Sequence, residues 1–235
     1  MKNLVIASTS TLHGQSYLEY LLPTLEELFS NKKEILFIPF ARPGGVSHDD
    51  YTSIAQKALA KINAVVRGVH TFSNPKKAIQ ESQGFFTGGG NTFLLVKQLH
   101  DLNLMNLLAN QIKKGAPYLG TSAGSNICGL NMKTTNDMPI VYPKSFDTLG
   151  VLPFNINPHY LDPDPNSAHM GETREQRIKE FHFQNNTPVI GLRESSWLRV
   201  KGGDILLEGS LNARVFEREK SPYEIVPGTS LSHLN

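Results

Sequence analysis

Cysteine is almost missing from this sequence: Cys128 stands alone among 235 residues. No internal disulfide can form, so the fold relies on its core, as expected in a reducing compartment. Long apolar runs are missing too. The first, Leu4 to Ala7, stops at Ser8, short of the roughly 7–15 apolar residues of a signal-peptide core. Nothing approaches the roughly 20 apolar residues of a membrane span. Charge of one sign is also scarce. The formal net charge is +2, and cationic clusters are no longer than pairs such as Lys76-Lys77 and Lys113-Lys114. A polybasic nucleic-acid or membrane-surface tract is thereby excluded. These absences predict a cytoplasmic chain with neither nucleic acid nor membrane as partner; they do not bear on oligomeric state, and a monomer and a homodimer both stay open. The length suits one domain over residues 1–235.

What is present is an alternation of short apolar runs and helical patterns. Strands are expected at 3–7, 34–39, 65–70, 84–87 and 117–120. Between them lie helical stretches at 17–29, 51–62, 75–81, 92–99 and 102–114, the first with Leu18, Leu21, Leu22, Leu25 and Leu28 on one face. This order predicts an α/β fold, a mostly parallel sheet with helices on both faces. The last third reads differently. Short strands at 189–192, 197–200, 205–208 and 213–217, with turns such as Gly202-Gly203-Asp204, are expected to extend the sheet or form a hairpin at its edge.

Gly120-Thr121-Ser122-Ala123-Gly124 follows a predicted strand and opens a helix. That is the context of a G-x-S-x-G nucleophile elbow, in which a sharp turn lifts the serine hydroxyl and bulky neighbours would clash. The helix start points backbone N–H groups at a developing oxyanion. A glycine-rich turn with a capping serine would give the same pentapeptide. A second turn runs from Phe85-Phe86-Thr87 into Gly88-Gly89-Gly90-Asn91. Its uncovered N–H groups suit an oxyanion hole of Gly89 and Gly90 with Ala123. Neither G-x-G-x-x-G nor the Walker spacing fits this loop. With both loops at the carboxyl ends of strands in one sheet, a shared crevice is expected.

A serine nucleophile needs a base, and the base an orienting carboxylate. Of eight histidines, His159 stands out in Asn155-Ile156-Asn157-Pro158-His159, where Pro158 stiffens the approach. A surface loop histidine is the competing account. Asp137, in Thr134-Thr135-Asn136-Asp137, and Glu194, after a later strand, are the candidate acids. Asp137 is preferred because its polar neighbours can hold a carboxylate by hydrogen bonds.

These segments resemble peptidase E, the α-aspartyl dipeptidase family. The resemblance rests on 86–92, 120–126, 135–140, Asn157-Pro158-His159 and 171–177, in the family's order. It implies a fold similar to class I glutamine amidotransferases and hydrolysis of Asp-X dipeptides and short peptides through an acyl-enzyme, with no metal or organic cofactor. It maps Ser122 to the nucleophile, His159 to the base, Asp137 to the orienting acid and Arg174 to the grip on the aspartate side chain. Asn91 and Glu194 join Arg174 as candidate substrate-binding residues. One departure is Ser195, where the family pattern has glycine.

Arg174 is also notable by itself. Thr173 and Gln176 read as a capping box, which puts Arg174 at the first helical position. A cation there opposes the helix dipole at about 0.3–1 kcal/mol, and a planar guanidinium is the natural partner of a carboxylate. Three alternatives stay open: an α/β-hydrolase esterase with the same elbow, a metal hydrolase using His159, Asp162, Asp164 and His169, and a non-catalytic binding module on the same fold. Cys128 reads as a core residue.

Overall fold

Side-chain alternation along the first strand already dictates two helical layers. In β1 (Asn3–Ala7), Leu4 and Ile6 face one apolar core while Val5 and Ala7 face another. The same alternation recurs in β2 (Glu34–Ile38), β4 (Phe85–Thr87) and β5 (Tyr118–Thr121), where Phe85 and Tyr118 join the first core and Phe86 and Leu119 the second. A strand buried on both faces needs a helical layer on each. In a computed structural model, which describes every residue except 31, 33, 165, 167, 169 and 235, those layers are present. Helices α1 (Leu22–Leu28) and α2 (His48–Leu59) cover one face. Helices α3 (Pro75–Glu81), α4 (Thr92–Asp101) and α5 (Met105–Lys113) cover the other. Truncating a fully buried side chain such as Phe37 or Phe85 to alanine would cost about 3–5 kcal/mol.

With β3 (Val65–Gly68), β8 (Ser196–Lys201) and β9 (Asp204–Gly209), the main sheet has the order β3-β2-β4-β5-β1-β8-β9. The five strands from β3 to β1 run parallel, and β8 and β9 are antiparallel additions. This is the expected α/β architecture, similar to class I glutamine amidotransferases. Local boundaries shift for local reasons. The helix expected from Tyr17 begins as a 3-10 turn at Glu19–Leu21, and α1 follows with Pro23 in its first turn, where the missing N–H costs nothing. Helix α2 starts earlier than expected because Ser47 caps it, accepting from the Asp50 N–H.

The last third corrects a larger expectation. Strands β8 and β9 do extend the main sheet, but β7 (Val189–Leu192) and β10 (Ala213–Phe216) do not. They join β6 (Asn155–Pro158) and β11 (Tyr223–Ile225) in a second sheet, ordered β11-β10-β7-β6. One face of this sheet, with Ile156, Ile190, Ala213 and Val215, shares the first core. The other, with Val189 and Phe216, packs on Ile178 of α7 (Arg174–Gln184). The segment leading into His159 is therefore a buried strand and not a surface loop.

Candidate active site

The elbow begins with a steric constraint. A Cβ on Gly124 would lie 2.1 Å from the Thr87 carbonyl oxygen, and one on Gly120 would lie 2.5 Å from the Gly124 carbonyl oxygen. Both are backbone contacts that cannot yield, so β5 can turn sharply into α6 (Ala123–Asn126) only with glycine at these positions. Between them Ser122 is held at φ 55° and ψ −112°, a strained conformation of the kind that accompanies functional sites. The Ser122 N–H donates to the Ala7 carbonyl (3.2 Å), as does the Ser125 hydroxyl (2.6 Å), anchoring the turn to β1.

The glycine loop after β4 lies against this turn. A Cβ on Gly89 would be 2.9 Å from the Ser122 Cβ. The Gly89 carbonyl accepts from the Tyr51 hydroxyl (3.2 Å), and the Asn91 N–H donates to the Ala41 carbonyl (2.7 Å). In a trans peptide the C=O and N–H point oppositely. Tyr51 thus turns the Gly90 N–H away from its own side. Among the described residues, no acceptor is bonded to the N–H groups of Gly89, Gly90 or Ala123.

His159 enters from the second sheet, one residue beyond β6, with φ 53°. Its Nε2 lies 2.9 Å from the Ser122 Oγ, and its Nδ1 lies 2.6 Å from the Glu194 Oε1. With the ring proton on Nδ1, His159 donates to Glu194 and accepts from the serine hydroxyl. The register of β6 with β7 pairs Pro158 with Leu192, so the chain just past each strand end carries the imidazole and the carboxylate to one place. Ser8 locks the arrangement: its hydroxyl donates to the Leu192 carbonyl (2.7 Å) and accepts from the His159 N–H (2.9 Å). Sequence reasoning overlooked Ser8, although its place just beyond the end of β1 was a usable signal.

The expectation for Asp137 is corrected. Its carboxylate does not meet His159. It accepts from the Thr92 N–H (2.7 Å) at the start of α4 and from the Thr135 hydroxyl (3.1 Å). Short polar neighbours do hold the carboxylate, but they hold it at a helix N-terminus, where negative charge is favourable. Glu194, expected on the substrate, is instead on the imidazole. Nor does Glu194 pair with its neighbour Arg193, whose guanidinium binds Asp162 through two nitrogens and also Glu224. Asn91, expected to contact substrate, has both ends of its amide occupied. Its Oδ1 caps α4 at the Leu94 N–H (3.1 Å), and its Nδ2 donates to the Met138 carbonyl (2.9 Å).

Arg174 opens α7, and Thr173 caps the helix by accepting from the Gln176 N–H (3.1 Å). The reciprocal bond of a full capping box is absent among the described residues. The half-buried guanidinium lines a cleft with Asn136, Leu161 and Asp162 and has no ion-pair partner among the described residues. Burial and the neighbouring Arg177 pull its pKa below the usual arginine value, while Asp137 opposes them. A cation so placed is underpaired and suited to a carboxylate.

The competing arrangements fare less well. In the metal-binding set considered, His159 is bonded to Ser122 and Glu194, Asp162 is bound by Arg193, and His169 lies outside the described residues. The chain order Ser122, His159, Glu194 also differs from the serine, acid, histidine order of α/β-hydrolases. Cys128 is buried, as expected, and burial pushes its thiol pKa upward.

The fold and this site define a serine-type hydrolase. Residues 4–208 match the model of peptidase family S51. Peptidase E of Streptomyces coelicolor is 47% identical over 232 residues, covering 99% of this chain and 94% of that protein. A Drosophila melanogaster protein named probable alpha-aspartyl dipeptidase is 42% identical, covering 99% of this chain and 97% of that protein. The crystal structure of a peptidase from an acI-B1 actinobacterium superposes with a TM-score of 0.71 at 14% identity, over 98% of this chain and 96% of that one. The chain belongs to peptidase family S51.

Proposed function

We propose that this chain is a cytoplasmic serine dipeptidase that releases an N-terminal aspartate from Asp-X peptides. The Ser122 Oγ attacks the scissile carbonyl as its proton passes to the His159 Nε2. Glu194 fixes the ring tautomer and stabilises the imidazolium. The N–H groups of Gly89, Gly90 and Ala123 receive the negative charge that develops on the carbonyl oxygen. Collapse of the tetrahedral species expels the amine, which takes the proton from His159 and leaves an aspartyl ester on Ser122. Water, deprotonated by His159, then hydrolyses the ester. Specificity comes from Arg174, whose fork receives both oxygens of the substrate's aspartate side chain.

The observation that carries this reading is the unbroken hydrogen-bonded chain from Ser122 through His159 to Glu194, at 2.9 and 2.6 Å. The name of the Drosophila melanogaster relative, probable alpha-aspartyl dipeptidase, supports aspartate as the residue recognised. The test is turnover of Asp-Leu, Leu-Asp and Asn-Leu by the wild type and Ser122→Ala. Asp-Leu should be cleaved, Leu-Asp should not, and Asn-Leu should be slower by about a hundredfold or more, since a neutral amide leaves Arg174 unpaired. Ser122→Ala should lose on the order of 10⁶ in turnover. Near-wild-type activity in that variant rejects the nucleophile, and equal use of Asn-Leu rejects the recognition.

A further inference from the structure

The chain has eight arginines, and six of them, Arg67, Arg177, Arg193, Arg199, Arg214 and Arg218, are ion-paired with glutamate or aspartate. Among the described residues, the two without an acidic partner are Arg174 and Arg42. They belong to opposite sides of the main sheet, Arg42 beside the layer with α2 and Arg174 beside the layer with α4. Arg174 belongs to the second sheet's helix and lies near Asp137, beside the start of α4. Arg42 follows β2 on the face covered by α2, and its guanidinium carbon stacks 4.2 Å from the centre of the Tyr51 ring. Its Nε is buried with no hydrogen-bond partner.

Arg42 is tied to the oxyanion loop by two short links. Its platform, Tyr51, donates its hydroxyl to the Gly89 carbonyl (3.2 Å). Its chain neighbour Ala41 accepts from the Asn91 N–H (2.7 Å) and lies so close to the loop that a Cβ on Gly90 would be 2.2 Å from the Ala41 carbonyl oxygen. Gly89 in turn lies against the Ser122 side chain. The positive field at this spot is felt by the buried Tyr17 hydroxyl, which Arg42 draws downward against a larger upward push from burial. A stacked guanidinium with no carboxylate of its own is pre-placed for an anion that arrives with a ligand.

An Asp-X dipeptide carries two carboxylates, one on either side of the bond to be cut. The second is its C-terminus, which lies only one residue, about 4 Å of chain, beyond the scissile carbonyl. We propose that Arg42 binds the C-terminal carboxylate of the dipeptide, so that the two unpaired arginines measure the substrate from both ends. The inference rests on the aspartyl-dipeptidase reading and adds a reason for short substrates. A longer peptide or a C-terminal amide puts no charge where Arg42 waits.

The test compares kcat/KM for Asp-Leu with that for Asp-Leu amide, in the wild type and in Arg42→Met and Arg42→Lys. The wild type should prefer the free acid by about tenfold to a hundredfold, the range expected for one charge-assisted contact. In Arg42→Met the ratio of acid to amide should fall close to one. Arg42→Lys should retain part of the preference, because it keeps the charge but loses the fork. A role confined to packing on Tyr51 predicts instead that both substrates slow by the same factor and the ratio stays as in the wild type. That result, or a wild-type ratio near one, overturns the inference while leaving the aspartyl reading intact. Failure of the wild type to turn over either substrate overturns both.

Discussion

The two sheets contribute to the site by different physics. The parallel sheet supplies Ser122 and the glycine loop through backbone constraints, since a methyl group at Gly120 or Gly124 would collide with a carbonyl oxygen. The second sheet supplies His159, Glu194 and Arg174 through side-chain bonds and strand register. A site half made of backbone tolerates almost no added atoms. A site half made of side chains tolerates atoms but not lost partners.

The largest expected effect breaks the side-chain half. Glu194→Gln should lower kcat for Asp-Leu by about 10²–10⁴, the upper figure being the cost of an amide in place of the orienting acid in the serine-protease template. Asp137→Asn still offers an oxygen to the Thr92 N–H and should cost less. Paired kinetics of the two variants decide the matter, and a larger kcat loss in Asp137→Asn would return the orienting role to Asp137.

Next in size is a break in the backbone half. Gly124→Ala should destabilise the fold by about 3 kcal/mol, because its neighbour at 2.1 Å is the Thr87 backbone. The urea midpoint of unfolding measures it, and an unchanged midpoint would show that the elbow has room to relax.

Smallest is Arg193→Met, at about 1–2 kcal/mol near neutral pH, discounted because Asp162 is half exposed. Hydrogen bonds from Arg193 hold the pKa values of Asp162 and Glu224 below the usual carboxylate range. A carboxylate with a depressed folded-state value adds stability above its unfolded value and loses it as pH falls through the folded one. The gap between wild type and variant should therefore narrow below about pH 4. A gap that stays constant between pH 7 and pH 3 would assign the loss to packing against Tyr160.

How much of this was legible in the sequence follows the same division. The elbow and the glycine loop each occupy a few consecutive residues, so strand, glycines and helix start could be read directly. His159 was legible only as a candidate, because β6 is Asn-Ile-Asn-Pro and carries little strand signature. Its partner could be read only as one of two candidate acids, with nothing in the sequence to choose between them. Glu194 reaches the imidazole because Leu192 pairs with Pro158, 34 residues away, and a sequence does not display that register. Asp137 drew the role because polar neighbours imply a held carboxylate. They do not say which donor holds it, and here the donor is the first N–H of α4. Ser195 had a hidden cause of a similar kind. It stands at φ 70°, where glycine is the easier residue, and its hydroxyl bond to Ser210 offsets part of the strain.

Ser122 at φ 55° and His159 at φ 53° share with Ser195 a positive φ that side chains resist, and each strained position costs on the order of 1 kcal/mol. A library ranked only by heat resistance would therefore favour glycine at 122 and 159, discarding the hydroxyl and the imidazole that the proposed chemistry requires. Anyone engineering this chain for industrial durability would have to screen turnover in every round, because the substitutions the backbone welcomes most are the ones that would silence it.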